Sequence, residues 1–170
     1  MLDKLTSAGP LIQTAAITIS AIAAVWMIYH NGKLAGRQAL INLIIQQRSD
    51  RELNEAFSIV YSLANAQTNL LSHYVPAIPP ETERDHALYL KRRSAILKVL
   101  NTQEFVAVGI RLGAFDENVY KQLQCSNVTT IWKATSGFVS ELRKTTDRPA
   151  IFQDLEHLAQ KWDKDPIKRI

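Results

Sequence analysis

The feature that most constrains this chain is a run without charge. No Asp, Glu, Lys or Arg lies between Leu5 and Tyr29, and residues 11–29 are dominated by Ile and Ala. At about 1.5 Å per residue, a helix over that run measures roughly 28 Å, close to the ~30 Å hydrocarbon thickness of a bilayer. The run predicts a transmembrane helix. Trp26 and Tyr29 sit at one end, where amphipathic rings favour a membrane interface, and Lys33 and Arg37 follow. The competing reading is a buried core helix, because Gln13, Thr14, Thr18 and Ser20 weaken the apolar signal. A cleaved signal peptide fits less well. The leader has little net positive charge, the apolar stretch exceeds the usual length, and no small-x-small site follows it.

Basic residues near the two ends set the expected orientation. Lys4 precedes the run beside Asp3, whereas Lys33, Arg37, Arg48 and Arg51 follow it. The positive-inside rule then places the C-terminal domain in the cytoplasm and the N-terminus outside. The expectation is a single-pass inner-membrane protein with the lipid bilayer as a partner.

About 140 residues remain after the anchor, enough for one domain with its own core. The formal net charge of +4 suits a domain beside an anionic leaflet. It argues against nucleic acid, which calls for a concentrated basic patch. Cys125 is the sole cysteine, so an intramolecular disulfide and a multi-cysteine zinc site are both excluded. Asn127, Val128 and Thr129 form a glycosylation triplet with no meaning in a cytoplasmic domain.

The expected organisation is an N-terminal tail and anchor over 1–32, a helical domain over 33–162 and a charged flexible tail over 163–170. Asn31 and Gly32 interrupt the apolar run and are expected to kink or end the first helix. Leu53, Ala56, Phe57, Val60, Leu63 and Ala64 recur at helical spacing, with Ser49 or Asp50 as the cap. Pro76, Pro79 and Pro80 break the chain into a helix–helix loop. Residues 81–112 read as a helix beginning at Pro80, with Gly113 as a left-handed cap. Asp116 caps a short helix to Gln124, and Ser126 or Asn127 caps another. The last helix starts at Asp147, Arg148 and Pro149 and carries Ile151, Phe152, Leu155, Leu158, Ala159 and Trp162 on one face. No segment alternates with period two, so the fold class is all-α: a transmembrane helix followed by a small helical bundle.

The stretch over 101–120 contains Glu104, Gly109, Arg111, Gly113 and Asp116. Together with residues 39–43 and the closing pattern from Arg148 to Trp162, it resembles a bacterial domain-of-unknown-function family of short, single-pass, membrane-anchored helical proteins. The resemblance implies fold and location, and it marks those five residues as the motif. It implies no reaction. Glu104 and Arg111 stand seven residues apart on one helix face. Glu104 is expected to be buried and paired with a base from another helix. Arg111 is expected to pair with Asp116 or Glu117, or to share a partner with Glu104.

Signatures of chemistry are missing. His30, His73, His86 and His157 form no ligand pair, no glycine-rich phosphate loop occurs, and Ser136 with Gly137 lies mid-helix. No catalytic, cofactor or metal residue is assigned. Arg84, Lys91, Arg92, Arg93 and Lys98 form a basic cluster, read as a solvated face or as a contact for lipid headgroups or an acidic partner. Gln13, Ala16, Ser20 and Ala24 form a stripe on which helices could associate into a homo-oligomer. The expected function is a membrane-anchored interaction or scaffolding protein that binds itself or a protein partner. The alternatives are a phage-related or anti-phage membrane effector, and a membrane-associated enzyme assembled from scattered polar residues.

Overall fold

The computed structural model describes residues 2–65, 71–81 and 83–167, with side chains omitted for 2–12 and 15. The described residues fold into five α-helices: α1 (Leu2–Ser49), α2 (Arg51–Asn65), α3 (His86–Arg111), α4 (Glu117–Thr146) and α5 (Gln153–Lys164). A 3-10 turn, Leu71–Tyr74, lies between α2 and α3.

The core forms where α2 packs on α3, and where α5 lies across both α3 and α4. Ile96, Val99, Leu100 and Val106 of α3 share one core with Val128, Ile131, Phe138 and Val139 of α4, and all eight are fully buried. Leu155 and Trp162 close the core from α5, and Val60 closes it from α2. The expected stripes on α2 and α5 do face inward: Leu53, Ala56 and Val60 are buried, as are Leu155, Leu158, Ala159 and Trp162.

Local chemistry fixes several helix ends. Asp50 accepts a hydrogen bond from the Leu53 N–H at 2.9 Å and caps α2. Gly113 has φ +73° after α3, a conformation that suits a residue without Cβ. Asp116 caps α4 by accepting from the Val119 N–H at 3.2 Å. The proline loop is tied to α3 by the Tyr89 hydroxyl, which donates to the carbonyls of His73 and Pro76.

Other boundaries differ from expectation. α3 starts at His86, where Asp85 accepts from the Leu88 N–H at 2.9 Å, rather than at Pro80. α4 runs unbroken through Ser126 and Asn127. The Asn127 side chain is occupied elsewhere: it accepts from the Tyr61 hydroxyl and donates to Gln124. Asp147 ends α4 in a left-handed conformation, and the last helix starts at Gln153. Of the expected charged tail, 168–170 lie outside the described residues.

The largest correction concerns the N-terminal helix. Among the described residues, no helix is long and apolar enough to cross a membrane. This overturns the transmembrane anchor, the single-pass architecture and the inner-membrane location with its orientation. From Gln13 to Tyr29 the run is shorter than the ~20 apolar residues a span needs. Gln13, Thr14, Thr18 and Ser20 dilute its first half. The side chains of Leu11, Ile12 and Ala15, on which the apolar reading also leaned, lie outside the described residues. Nor does the helix end where the run ends. α1 continues through Asn31 and Gly32 to Ser49, a helix of 48 residues.

Candidate functional site

α1 divides into a root and a shaft. At the root, Leu40 and Ile44 are buried in the core. Along the shaft, every described side chain from Gln13 to Ala35 is exposed. Nine of these are large hydrophobics: Ile17, Ile19, Ile22, Val25, Trp26, Met27, Ile28, Tyr29 and Leu34 are 57 to 73% exposed. Monomers rarely leave more than a few hundred Å² of continuous apolar surface in water, so this uncovered apolar helix stands out among the described residues.

The shaft is held by the corner between α3 and α4, and the 101–120 motif builds that corner. The Phe115 ring folds back onto α3 over Gly109, where an added Cβ would lie 2.3 Å from the ring. Glycine is therefore required sterically. The backbone N–H groups of Ala114 and Phe115 both donate to the Gly109 carbonyl, at 2.9 and 3.2 Å. The turn brings the Ala114 carbonyl against α1 at Gly36, where an added Cβ would stand 3.1 Å from that oxygen. One residue on, the Arg37 Nε donates to the Asp116 carboxylate at 2.7 Å. The Arg37 bond holds the Asp116 carboxyl below its ordinary value, helped by the Val119 N–H. Asp116 thus joins the start of α4 to the base of the shaft.

The other two motif residues serve α5. Phe152, before α5, has φ +56° and offers no side-chain cap. Glu104 supplies one from α3, accepting from the Asp154 N–H at 3.3 Å and the Leu155 N–H at 2.7 Å. The Arg111 Nε pairs with the Asp154 carboxylate at 2.7 Å. Glu104 is half-buried, and burial pushes its carboxyl above the ordinary value despite the two N–H donors. Its partner is a helix N-terminus rather than the expected base. The partner of Arg111 is Asp154, since Asp116 is bonded to Arg37 and Glu117 to Lys161 and Trp162.

The remaining assigned residues scatter. In the basic cluster, Lys91 pairs with Glu55 at 2.6 Å and Lys98 with Glu52 at 2.7 Å, both across to α2. Arg92 donates to the Tyr74 hydroxyl and Arg93 to the Val75 carbonyl. Arg84 lies apart, on the exposed approach to α3. Gln13, Ala16, Ser20 and Ala24 are all exposed along the shaft. His30 stacks on Trp26, and His73 pairs with Glu83 at 3.1 Å. Among the described residues, no group of His, Cys, Asp and Glu is arranged to hold a metal ion.

Two clefts in the body are small or self-satisfied. A cleft of about 190 Å³ between α1, α2, α3 and α4 is lined by Gln47, Gln103, Gln124, Asn127, Tyr61 and Tyr120. Its polar groups bond one another: Tyr120 to Gln103, Tyr61 to Asn127 and Asn127 to Gln124. A second, of about 400 Å³, lies between α4 and the C-terminal segment beside Cys125, Trp162 and Pro166. Neither converges polar groups on a reacting centre.

Sequence reasoning missed Gly36, Arg37, Phe115 and Asp154. Gly36, with Arg37 adjoining, was a visible sign of close approach on α1, whereas Gly32 meets nothing within 4 Å. Asp154 left no sign, since its partner lies 43 residues away.

The fold and corner define an all-α protein in which a helical body carries a projecting helix. The family described as Domain of unknown function (DUF4760) matches residues 14–162, and the chain belongs to that family. The match covers shaft, corner and body together. No curated protein and no solved structure matches the chain.

Proposed function

We propose that this protein is a helical interaction or scaffolding module that works through the α1 shaft. The helical body fixes the direction of the shaft, and the shaft offers an apolar surface to other polypeptide chains. One observation carries this reading: nine large hydrophobic side chains stand 57 to 73% exposed on a helix whose other end is rooted in the core. At ~25 cal/mol per Å², covering such a surface yields far more than covering scattered single residues. The corner at Gly36, Arg37 and Asp116 adds support, because it joins the base of the shaft to the turn between α3 and α4.

The test is thiol reactivity in the cells that make the protein. Val25→Cys sits on the shaft and Leu123→Cys on the body, where the native residues are 68% and 51% exposed in the lone chain. The buried Cys125 serves as the internal control. The expected result is at least tenfold slower maleimide labelling at position 25 than at position 123. Equal labelling at the two positions would remove the shaft from the protein's function.

A further inference from the structure

The large side chains of the shaft are not spread evenly around it. At 100° per residue, Ile17, Ile28, Val25, Tyr29, Ile22, Trp26 and Ile19 fall in that angular order on one arc of about 200°. Ala21, Ile22, Val25, Trp26 and Tyr29 frame a shallow apolar depression on it. The opposite side carries Ala16, Ser20, Ala23 and Ala24, with Gln13 and Met27. The expected association stripe of Gln13, Ala16, Ser20 and Ala24 therefore lies back to back with the large residues.

We infer that the shaft is covered by the shafts of other copies of this chain, packed through the large-residue arc in an assembly of three or more. This rests on the reading of the shaft as a contact surface and names what covers it. Three observations support it. The first is area. At roughly 180 Å² per full side chain, the seven exposed hydrophobics of the arc present on the order of 800 Å², matching the ~800 Å² per partner of a standard interface.

The second is the width of the arc. A two-stranded pairing buries a narrow seam of about 100°, so a pair would leave half of this arc in water. A helix that meets two neighbours covers it, which requires three or more copies.

The third is the absence of charge. Between Leu5 and Tyr29 there is no Asp, Glu, Lys or Arg. Within that stretch copies can approach without repulsion, and the Lys33 ammonium, one turn beyond Tyr29 on the same arc, lies 4.8 Å over the Tyr29 ring. Arg37, at the foot of the shaft, is already paired with Asp116. Polar atoms do not obstruct the arc, since the Thr18 hydroxyl donates to the Thr14 carbonyl at 2.9 Å. The uncharged segment of matching length and shape is that of α1 itself in another copy.

The experiment is light scattering and native mass spectrometry on the full chain. The wild type is expected at three or more multiples of 19.1 kDa. Ile22→Ser combined with Val25→Ser and Tyr29→Ser is expected to fall to a single multiple, with the helical circular dichroism of the body retained. Ser20→Leu with Ala24→Leu, on the opposite side, is expected to keep the wild-type mass. A monomeric or dimeric wild type overturns the inference, as does an arc variant that keeps the assembly or a mass that is no integral multiple. If the purified chain is monomeric while Val25→Cys is protected in cells, self-association falls and the interaction reading stands. If Val25→Cys is also unprotected, both fall.

Discussion

Glu104 and Asp154 meet across 50 residues of chain, the carboxylate of the first accepting the backbone N–H of the second at 3.3 Å. The Leu155 N–H completes the cap at 2.7 Å, and the Asp154 carboxylate returns to α3 through Arg111. Two residues spaced seven apart on α3 thus hold one helix start between them. α5 brings the fully buried Leu155 and Trp162 to the core, so its placement governs much of the packing.

Removing the cap should be felt in the melt. Glu104→Ala leaves two N–H groups at the start of α5 without their acceptor and should cost about 1–2 kcal/mol. Glu104→Gln retains an oxygen for the Leu155 N–H and should cost about half as much. The pH dependence has a definite sign. Burial holds the folded carboxyl above its ordinary value. The folded state therefore keeps a proton that the unfolded state releases, and stability from this group falls as pH rises above the unfolded value of 4.5. The wild type should lose ground against Glu104→Gln between that pH and the raised folded value, then run parallel. Thermal melts from pH 4 to 7 check this. Wild-type stability in both variants would remove the capping role.

Gly109 offers a test by sign. In an exposed helix interior, glycine to alanine gains up to about 1 kcal/mol. Here the new methyl would overlap the Phe115 ring at 2.3 Å. Gly109→Ala should instead destabilise by about 1–3 kcal/mol. Phe115→Ala opens the space, so in a double-mutant cycle the glycine substitution should become neutral or favourable. Additive effects would show that the ring does not rest on Gly109.

Asp116 performs two tasks that substitution can separate. Asp116→Asn keeps an oxygen for the Val119 N–H but loses the charge facing Arg37, whereas Asp116→Ala loses both. The cap is worth about 1 kcal/mol. The Arg37 pair, half exposed on the arginine side, adds a few tenths. The carboxyl lies below its ordinary value of 3.8, so its contribution is present above that pH and is lost as pH falls through the lower folded value. Hydrogen exchange over residues 30–38 should quicken in both variants at pH 7, more so in Asp116→Ala. No change would mean that the corner does not hold the shaft.

What the sequence made legible was chemistry that acts over a few residues. Asp50 and Asp116 as caps, Gly113 as a left-handed residue and the inward stripes of α2 and α5 follow from neighbours three or four positions away. What it hid was competition from a distance. Asn127 reads as a cap until Tyr61, 66 residues earlier, takes its oxygen, and α4 then passes straight through. Gly32 reads as a break, yet one glycine costs a helix only about 1 kcal/mol, too little to end one rooted at Leu40 and Ile44. The partner of Glu104 was hidden for a different reason. It is a pair of backbone donors, and side-chain spacing carries no record of those. The 11–29 run read as a membrane span, which no described helix is long and apolar enough to make, and its described side chains stand exposed on a helix that goes on to Ser49.

The last prediction concerns a side-chain pair buried in the body. The Tyr120 hydroxyl donates to Gln103 Oε1 at 3.0 Å. Both residues are nearly inaccessible, at 2% and 3% exposed. The Tyr120 ring also lies 5.8 Å from that of Trp162, a contact that phenylalanine would preserve. Tyr120→Phe therefore removes only the donor and leaves a buried amide oxygen without it, at a cost of about 1–3 kcal/mol. Gln103→Leu strands the hydroxyl in turn and should cost a similar amount. With both changed, neither polar group remains, and the double variant should be less destabilised than the two single costs combined, with a coupling on the order of 1 kcal/mol. Burial pushes the phenol above its ordinary value of 10.0, so the folded state holds this proton where the unfolded state releases it. Stability from Tyr120 is thus present below that pH and falls as pH rises above it. Denaturant melts of the four proteins at pH 8 and pH 10.5 check both claims. Strict additivity at pH 8 would show the pair to be uncoupled. An unchanged difference between wild type and Tyr120→Phe at the higher pH would show the hydroxyl to be solvated.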